Sequence, residues 1–228
     1  MKKISLLFVV SLTLGLFTTQ AQKNLIKDGK FENTYFNVND IVRKMPDKGV
    51  WFPYLTGDRL AVLSVVDDEE KGKAVMFQSL THVSYAYSYV GQRIQEDLDA
   101  GIYQVGFWAK SLLDDPKPVV NVYLRVNTSP NNFLFFKLAD VNPEENPNKS
   151  IALWQKHITG QWKYYTIDFD LGQTVNNAGN YKLAKDKGTP FSVVKSAKMD
   201  RKDLYLGISC TTRNAQFLFT DVTLTKVK

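Results

Sequence analysis

The chain has 228 residues, with 29 Lys plus Arg against 23 Asp plus Glu and a single cysteine. A net charge of +6 with no recognisable basic module argues against a nucleic-acid binder. One cysteine excludes an intramolecular disulfide framework.

In chain order, Met1-Lys2-Lys3 precedes the apolar run Ile4 to Phe17, and Thr19-Gln20-Ala21 then places small residues at a cleavage site. Residues 1–21 read as a secretory signal peptide. The apolar run is too short to span a bilayer, so no transmembrane anchor is expected. Removing those 21 of 228 residues leaves 207, and without Lys2 and Lys3 the net charge becomes +4. Residues 22–228 are expected to form one domain, exported to the periplasm, the cell surface or the medium.

Short β-rich runs follow, separated by turn signals. Leu60–Val66 and Ala74–Leu80 flank a charged tip, Asp67 to Lys73, and read as a hairpin. Tyr85–Ile94 is a further strand. Asp99-Ala100-Gly101 turns into Ile102–Ser111, and Pro116 and Pro118 break the chain before Val119–Asn127. Tyr164–Leu171, Leu204–Cys210 and Gln216–Val227 complete the set. Cys210 shares one strand face with Leu204, Leu206 and Ile208, which places it in the core. The lysine-rich stretch Lys182 to Lys202 reads as a solvated loop. A short helical turn is expected near Ser192 to Met199. Two segments, Ala139–Gly160 and Gly172–Asp203, are too long for simple turns. The pattern predicts an all-β sandwich or barrel.

Four motifs occur in a suggestive order: Asn24-Leu25-Ile26-Lys27-Asp28-Gly29-Lys30-Phe31-Glu32, Gly101-Ile102-Tyr103-Gln104-Val105-Gly106-Phe107-Trp108-Ala109-Lys110, Trp162-Lys163-Tyr164-Tyr165-Thr166-Ile167-Asp168-Phe169, and Phe217-Leu218-Phe219-Thr220-Asp221-Val222-Thr223-Leu224. Together they resemble the carbohydrate-binding modules of families 4, 9 and 22, with their galactose-binding-like jelly-roll β-sandwich. The chain is also similar to small secreted bacterial proteins of unknown function built from this domain alone. The resemblance implies about eight to ten strands, with the first and last adjacent. It also implies a structural calcium near those strands, with Glu32 and Asp221 as ligand positions. The chain departs from the pattern at Asp28, where Asn is usual, and at Thr220-Asp221, where two acidic residues are usual. Calcium takes six to eight oxygens, so one missing carboxylate weakens that inference.

Sugar recognition needs flat aromatic rings for the C–H face and directed polar groups for the hydroxyls. Alternation along strands puts Tyr85, Tyr87, Tyr89 and Arg93 on one face. It likewise puts Asn121, Tyr123 and Arg125 opposite an apolar face of Val120, Val122, Leu124 and Val126. Trp108 faces away from Tyr103, Val105 and Phe107, in a position to join the same groove. Trp51 and Tyr54 lie in a segment flanked by Gly49 and Gly57, where a Trp either binds a ligand or lids the core. Trp162 reads as core, and Trp154 fits either role. Both stripes fit a groove, and both fit a core whose hydroxyls reach the rim. Arg125 is the residue expected to touch a ligand, a guanidinium offering several directed donors.

Catalytic signatures are missing. His82 and His157 stand far apart, no nucleophile elbow, zinc helix or phosphate loop occurs, and Cys210 lies in an apolar strand. The carboxylates Glu144, Glu145, Asp168 and Asp170 form no pair that sequence can set across a cleft. The sequence therefore reads as a non-catalytic module that binds a glycan on a concave sheet face. The alternative is a protein–protein or cell-surface assembly module without a sugar ligand.

Overall fold

A computed structural model describes residues 22–36, 46–55, 61–80, 88–129, 132–142, 145, 151–176, 193–195 and 203–228. The signal-peptide segment and the strand positions Tyr85 and Tyr87 lie outside the described residues. Among those described, twelve strands occur: β1 Trp51–Leu55, β2 Ala61–Asp68, β3 Gly72–Ser79, β4 Ser88–Arg93, β5 Ile102–Ser111, β6 Val119–Ser129, β7 Asn132–Leu138, β8 Trp154–His157, β9 Lys163–Asn176, β10 Val193–Lys195, β11 Leu204–Cys210 and β12 Gln216–Lys226. No described residue is helical.

Every pairing is antiparallel, and ten strands form one ladder in the order β1-β4-β11-β6-β7-β9-β5-β12-β3-β2; β8 adds to β6 and β10 to β9. The ladder folds over on itself at the β7–β9 junction, giving the two facing halves of a jelly-roll sandwich. Here Phe136 aligns with Thr174 but Lys137 with Asp170, so β9 bulges by several residues. Asp170 braces the bulge by accepting the Gly172 amide at 2.7 Å and the Gln173 side-chain amide at 2.9 Å. Bulges of this kind bend a strand and let it serve two sheets.

Register identifies the inward face. Trp154 aligns with Val122 and meets Phe107 of the other half edge-on at 5.9 Å between ring centres. Val120, Val122, Leu124 and Val126 therefore point inward, beside Leu204, Leu206, Ile208 and Cys210 of β11. They share one core with Val105, Phe107, Phe169, Phe217 and Phe219. Burial pushes the Cys210 thiol up to about 11, the behaviour of an inert buried thiol. At typical values each such fully buried aliphatic or aromatic side chain stabilises the fold by roughly 1.5–3 kcal/mol.

The expected pairing of first and last strands is not found: twelve strands rather than eight to ten are described, the first of them, β1, pairs with β4, and β12 is met instead by the irregular segment that precedes β1. The Leu25 amide donates to the Leu224 carbonyl at 2.8 Å, and the Val222 amide to the Gly29 carbonyl at 3.0 Å. The opening motif is a clasp, with no strand assigned to it. Asp28 and Phe31 adopt left-handed backbone angles, which interrupt a ladder. The Asp28 carboxylate accepts the Glu32 and Asn33 amides and the Thr34 hydroxyl. Buried Gln92 secures the clasp from β4 by accepting from the Lys27 amide and donating to its carbonyl.

Several expectations need correction. Strands β1, β7, β8 and β10 were not legible as strands. The region expected to turn helically near Ser192 carries β10 at Val193–Lys195, paired with β9. Trp162 is half-buried rather than core. Its indole N–H donates to Asp68 at 3.1 Å, on the outer side of β9. Asp68 also accepts from the Lys110 ammonium at 2.6 Å and from the Glu70 and Lys71 amides at 3.0 Å each. This one carboxylate ties the β2–β3 hairpin tip to β5 and to the start of β9.

Burial alone would raise the Asp68 pKa, but the hydrogen bonds from Lys110 and the two amides outweigh it and hold the carboxyl below its usual 3.8. A carboxylate depressed in the folded state stabilises fully above that value and loses its contribution as pH falls below it. Asp68→Asn is expected to cost about 1.5–3 kcal/mol in neutral denaturant titrations, as for charge-assisted hydrogen bonds, with the difference from wild type shrinking in acid. A neutral-pH loss within error of zero would show that this node is dispensable.

Candidate functional site

The outward face of β1, β4, β11 and β6 gathers the sequence-selected stripe. Tyr54 aligns with Tyr89, Tyr89 with Ser209, and Ser209 with Asn121, while Tyr123 aligns with Gly207 and Arg125 with Tyr205. Phe135 of β7 aligns with Arg125 from the other side. Asn121, Tyr123, Arg125, Tyr89 and Arg93 thus share one face: alternation predicts the grouping within each strand, and the register through β11 joins the two.

This face is packed at its centre. Tyr123 and Asn121 are fully buried, Tyr89 is 2% exposed and Arg125 is 5% exposed. The Arg125 guanidinium carbon lies 4.9 Å from the Tyr89 ring centre, 5.5 Å from that of Tyr123 and 5.8 Å from that of Tyr205. Its terminal nitrogen donates to the Tyr89 hydroxyl. Cation–π attraction is strongest where the cation has lost its water, so three rings offset part of the cost of burying this charge. Tyr123 in turn lies over Gly207, and a Cβ there would fall 2.2 Å from the ring's Cζ. The glycine is what lets the ring lie down on the sheet.

The rim is more open. Tyr54 is half-buried and stacks on Tyr89, with ring centres 4.8 Å apart and planes 19° apart. Arg93 keeps 24% of its side chain exposed and pairs with Asp203, donating from Nε at 3.0 Å. Exposed Gln155 donates to buried Asn121 at 2.7 Å. Phe52 closes the cluster, edge-on to Tyr89 at 5.9 Å and to Tyr205 at 6.4 Å.

Two selected tryptophans do not join this face. Trp51 points inward, 4% exposed, with its ring 4.9 Å from that of Phe31 and its N–H on the Asp28 carbonyl at 2.9 Å. Trp108 lies on the outer side of the other half, beside Tyr164 at 5.4 Å, with the Lys71 ammonium 3.5 Å above its ring. The strand parity that puts Tyr103, Val105 and Phe107 in the core forces Trp108 away from the Arg125 side. Sequence reasoning missed Tyr205, although alternation from Leu204 already sets it opposite the buried set. Phe52 and Phe135 were missed because their strands were not recognised.

Glu32 is exposed at the N-terminal clasp, and Asp221 sits in the β12 bulge with Lys30 at 3.9 Å. No group of three or more His, Cys, Asp or Glu side chains suited to a metal occurs among the described residues. A calcium ion held here would depend largely on backbone carbonyls.

Comparison with known proteins places the chain. The profile of a family described as a domain of unknown function (DUF4627) matches residues 73–224. The chain belongs to that family. No curated protein matches it. Among solved structures it is similar to a protein from Bacteroides thetaiotaomicron VPI-5482 described as a candidate sugar-binding protein, at 24% identity and a TM-score of 0.76, covering 90% of this chain and 100% of that one. More distant are the CBM22-1 xylan-binding domain of Paenibacillus barcinonensis Xyn10C, at 9% identity and TM-score 0.46 over 78% of this chain and 86% of that one, and the family 11 carbohydrate-binding module of Clostridium thermocellum, at 11% and 0.42 over 82% and 94%. The first of these establishes the fold; fold alone names no ligand.

Burial raises the Tyr89 hydroxyl to about 12 against an ordinary 10, even though the Arg125 charge pulls it down. Burial raises that of Tyr205 as well. A raised phenol pKa stabilises the fold fully below the unfolded value and loses its contribution as pH climbs through the folded one. Thermal stability is therefore expected to fall between pH 10 and about 12, as tyrosinate absorbance appears, and Tyr89→Phe is expected to flatten that fall. An equally steep fall in the variant would remove Tyr89 from the explanation.

Proposed function

We propose that this protein is an exported, non-catalytic module that binds a glycan on the outward face of β1, β4, β11 and β6. One observation carries the reading: a partly exposed ring, Tyr54, lies flat on a buried ring, Tyr89, whose hydroxyl is fixed by Arg125. A rigid, preorganised aromatic surface loses little entropy on binding and matches the C–H face of a pyranose. Arg93 and Gln155 on the same rim supply directed donors for hydroxyls. The jelly-roll fold and the description of the Bacteroides thetaiotaomicron protein support the same reading. Arg125, enclosed as it is, serves as the strut beneath the ligand surface, with Tyr54 as the contact.

The non-catalytic part rests on chemistry. Asp168 and Asp170 fall on one side of a single strand and do not oppose each other. His157 is exposed on β8, and His82 lies outside the described residues.

The buried centre of the face favours a second reading. A surface filled by its own rings suits a protein partner or a purely structural role better than a groove does. A glycan array separates the two. The first reading expects discrete saccharide hits that Tyr54→Ala weakens about tenfold, the loss of one stacking contact of about 1–1.5 kcal/mol, with the variant still folded at the assay temperature. Arg125→Ala is expected to lower stability by about 2–4 kcal/mol, the cost of breaking a buried charged network. A blank array with intact folded protein would pass the function to the assembly reading.

A further inference from the structure

A cleft of about 190 Å³ opens on the other half of the sandwich, among Gln104, Asp140, Trp154, Thr166 and Asp168. Its position follows from the ladder. β7 pairs with β9 only from Phe169 onward, so no described strand covers the second edge of Lys163–Asp168. The Ala139 amide donates to the Asp168 carbonyl at 2.8 Å, after which the chain turns away from that edge. The Asp168 carbonyl points to the uncovered side, so alternation aims the backbone groups of Thr166 the same way. Trp154 closes the gap from β8, wedged edge-on against Phe107 at 5.9 Å and Tyr165 at 5.7 Å. Its ring is thereby fixed in orientation while the residue stays only half-buried.

The polar groups converge with complementary chemistry. Asp168 accepts from the Gln104 amide at 2.9 Å, which orients both side chains and leaves the second carboxylate oxygen for another donor. Asp140 is exposed at the mouth. Carboxylates that accept from hydroxyls, an amide that can donate and accept, and an indole with its N–H form the donor–acceptor set a vicinal diol requires. The volume is below the roughly 300–1,000 Å³ of drug-sized pockets, so it suits one ring or a chain end rather than an extended polymer.

We propose that this cleft is a second saccharide site, specific for a single sugar residue and separate from the Arg125 face. It takes its ligand class from the glycan-binding reading but uses none of the same residues. Two sites on one module would raise apparent affinity for branched or multivalent glycans through effective concentration.

Nuclear magnetic resonance of the full chain tests this through the indole N–H signals of its four tryptophans, with that of Trp154 assigned by Trp154→Phe. The probes are glucose, galactose, mannose and xylose, each titrated into the millimolar range. The expected result is a saturable shift of the Trp154 signal with at least one sugar, weakened at least tenfold by Asp168→Ala and by Gln104→Ala, and unchanged by Tyr54→Ala. A Trp154 signal that answers to none of the sugars overturns the proposal. So does a shift that survives both substitutions unaltered, or one produced by ethanolamine and by no sugar. If array hits depend on Tyr54 while Trp154 stays silent, the cleft falls and the Arg125 face stands. If Trp154 responds while Tyr54→Ala costs nothing on the array, the cleft stands and the Arg125 face falls.

Discussion

The packing of Arg125 among tyrosine rings above Gly207 is the constraint on which the outward face depends. A guanidinium stripped of water is unfavourable by several kcal/mol unless compensated. Among the described residues the compensation includes the π faces of Tyr89, Tyr123 and Tyr205 and the Tyr89 hydroxyl. Those rings reach the cation because the strand beneath Tyr123 offers no side chain at Gly207. Strand register then carries the order outward: Tyr89 fixed by Arg125 becomes the support for Tyr54, and buried Asn121 becomes the support for Gln155.

The opposite half is organised by a different device. Asp68 collects four hydrogen bonds from three parts of the chain. It thereby positions the lysines that lie over Trp108 and Trp162. These outer aromatics are covered by cations, whereas Tyr54 on the other half is covered by nothing comparable among the described interactions. That contrast separates Tyr54 from Trp108 and Trp162; Tyr164, 42% exposed beside Trp108, is the other ring presented to solvent on that half.

Much of this was legible in the sequence where strands alternate strictly. β5 and β11 were found at their true ends, and the inward set of β6 was read residue by residue, because one strand face was apolar throughout. Alternation also grouped Asn121, Tyr123 and Arg125 correctly. It gave no access to how deeply they are buried, which depends on β1, β4, β7 and β11 as neighbours. β1 and β8 are too short to show a period, and β10 lies in a lysine-rich stretch that reads as loop. Trp108 was misassigned for a related reason: parity tells which residues share a side of one strand, while the register between strands decides which half that side belongs to; Trp51, left open between ligand contact and core lid, proves to be core. The cleft at Trp154 was invisible because it arises where β7 leaves β9, a feature of topology with no local signature.

Tyr123 must lie flat over Gly207 for the Arg125 cluster, and hence the rim, to exist. Gly207→Ala tests it, with Gly160→Ala as the control because the nearest atom to a Cβ there is 3.8 Å away. A methyl group at 207 forces the Tyr123 ring off the sheet. Melting temperature is predicted to fall by roughly 5–10 °C, the equivalent of overpacking by about 2–3 kcal/mol in a domain of this size, while the control stays near wild type. A Gly207→Ala protein that melts within about 1 °C of wild type, less than half a kcal/mol, would contradict the claim.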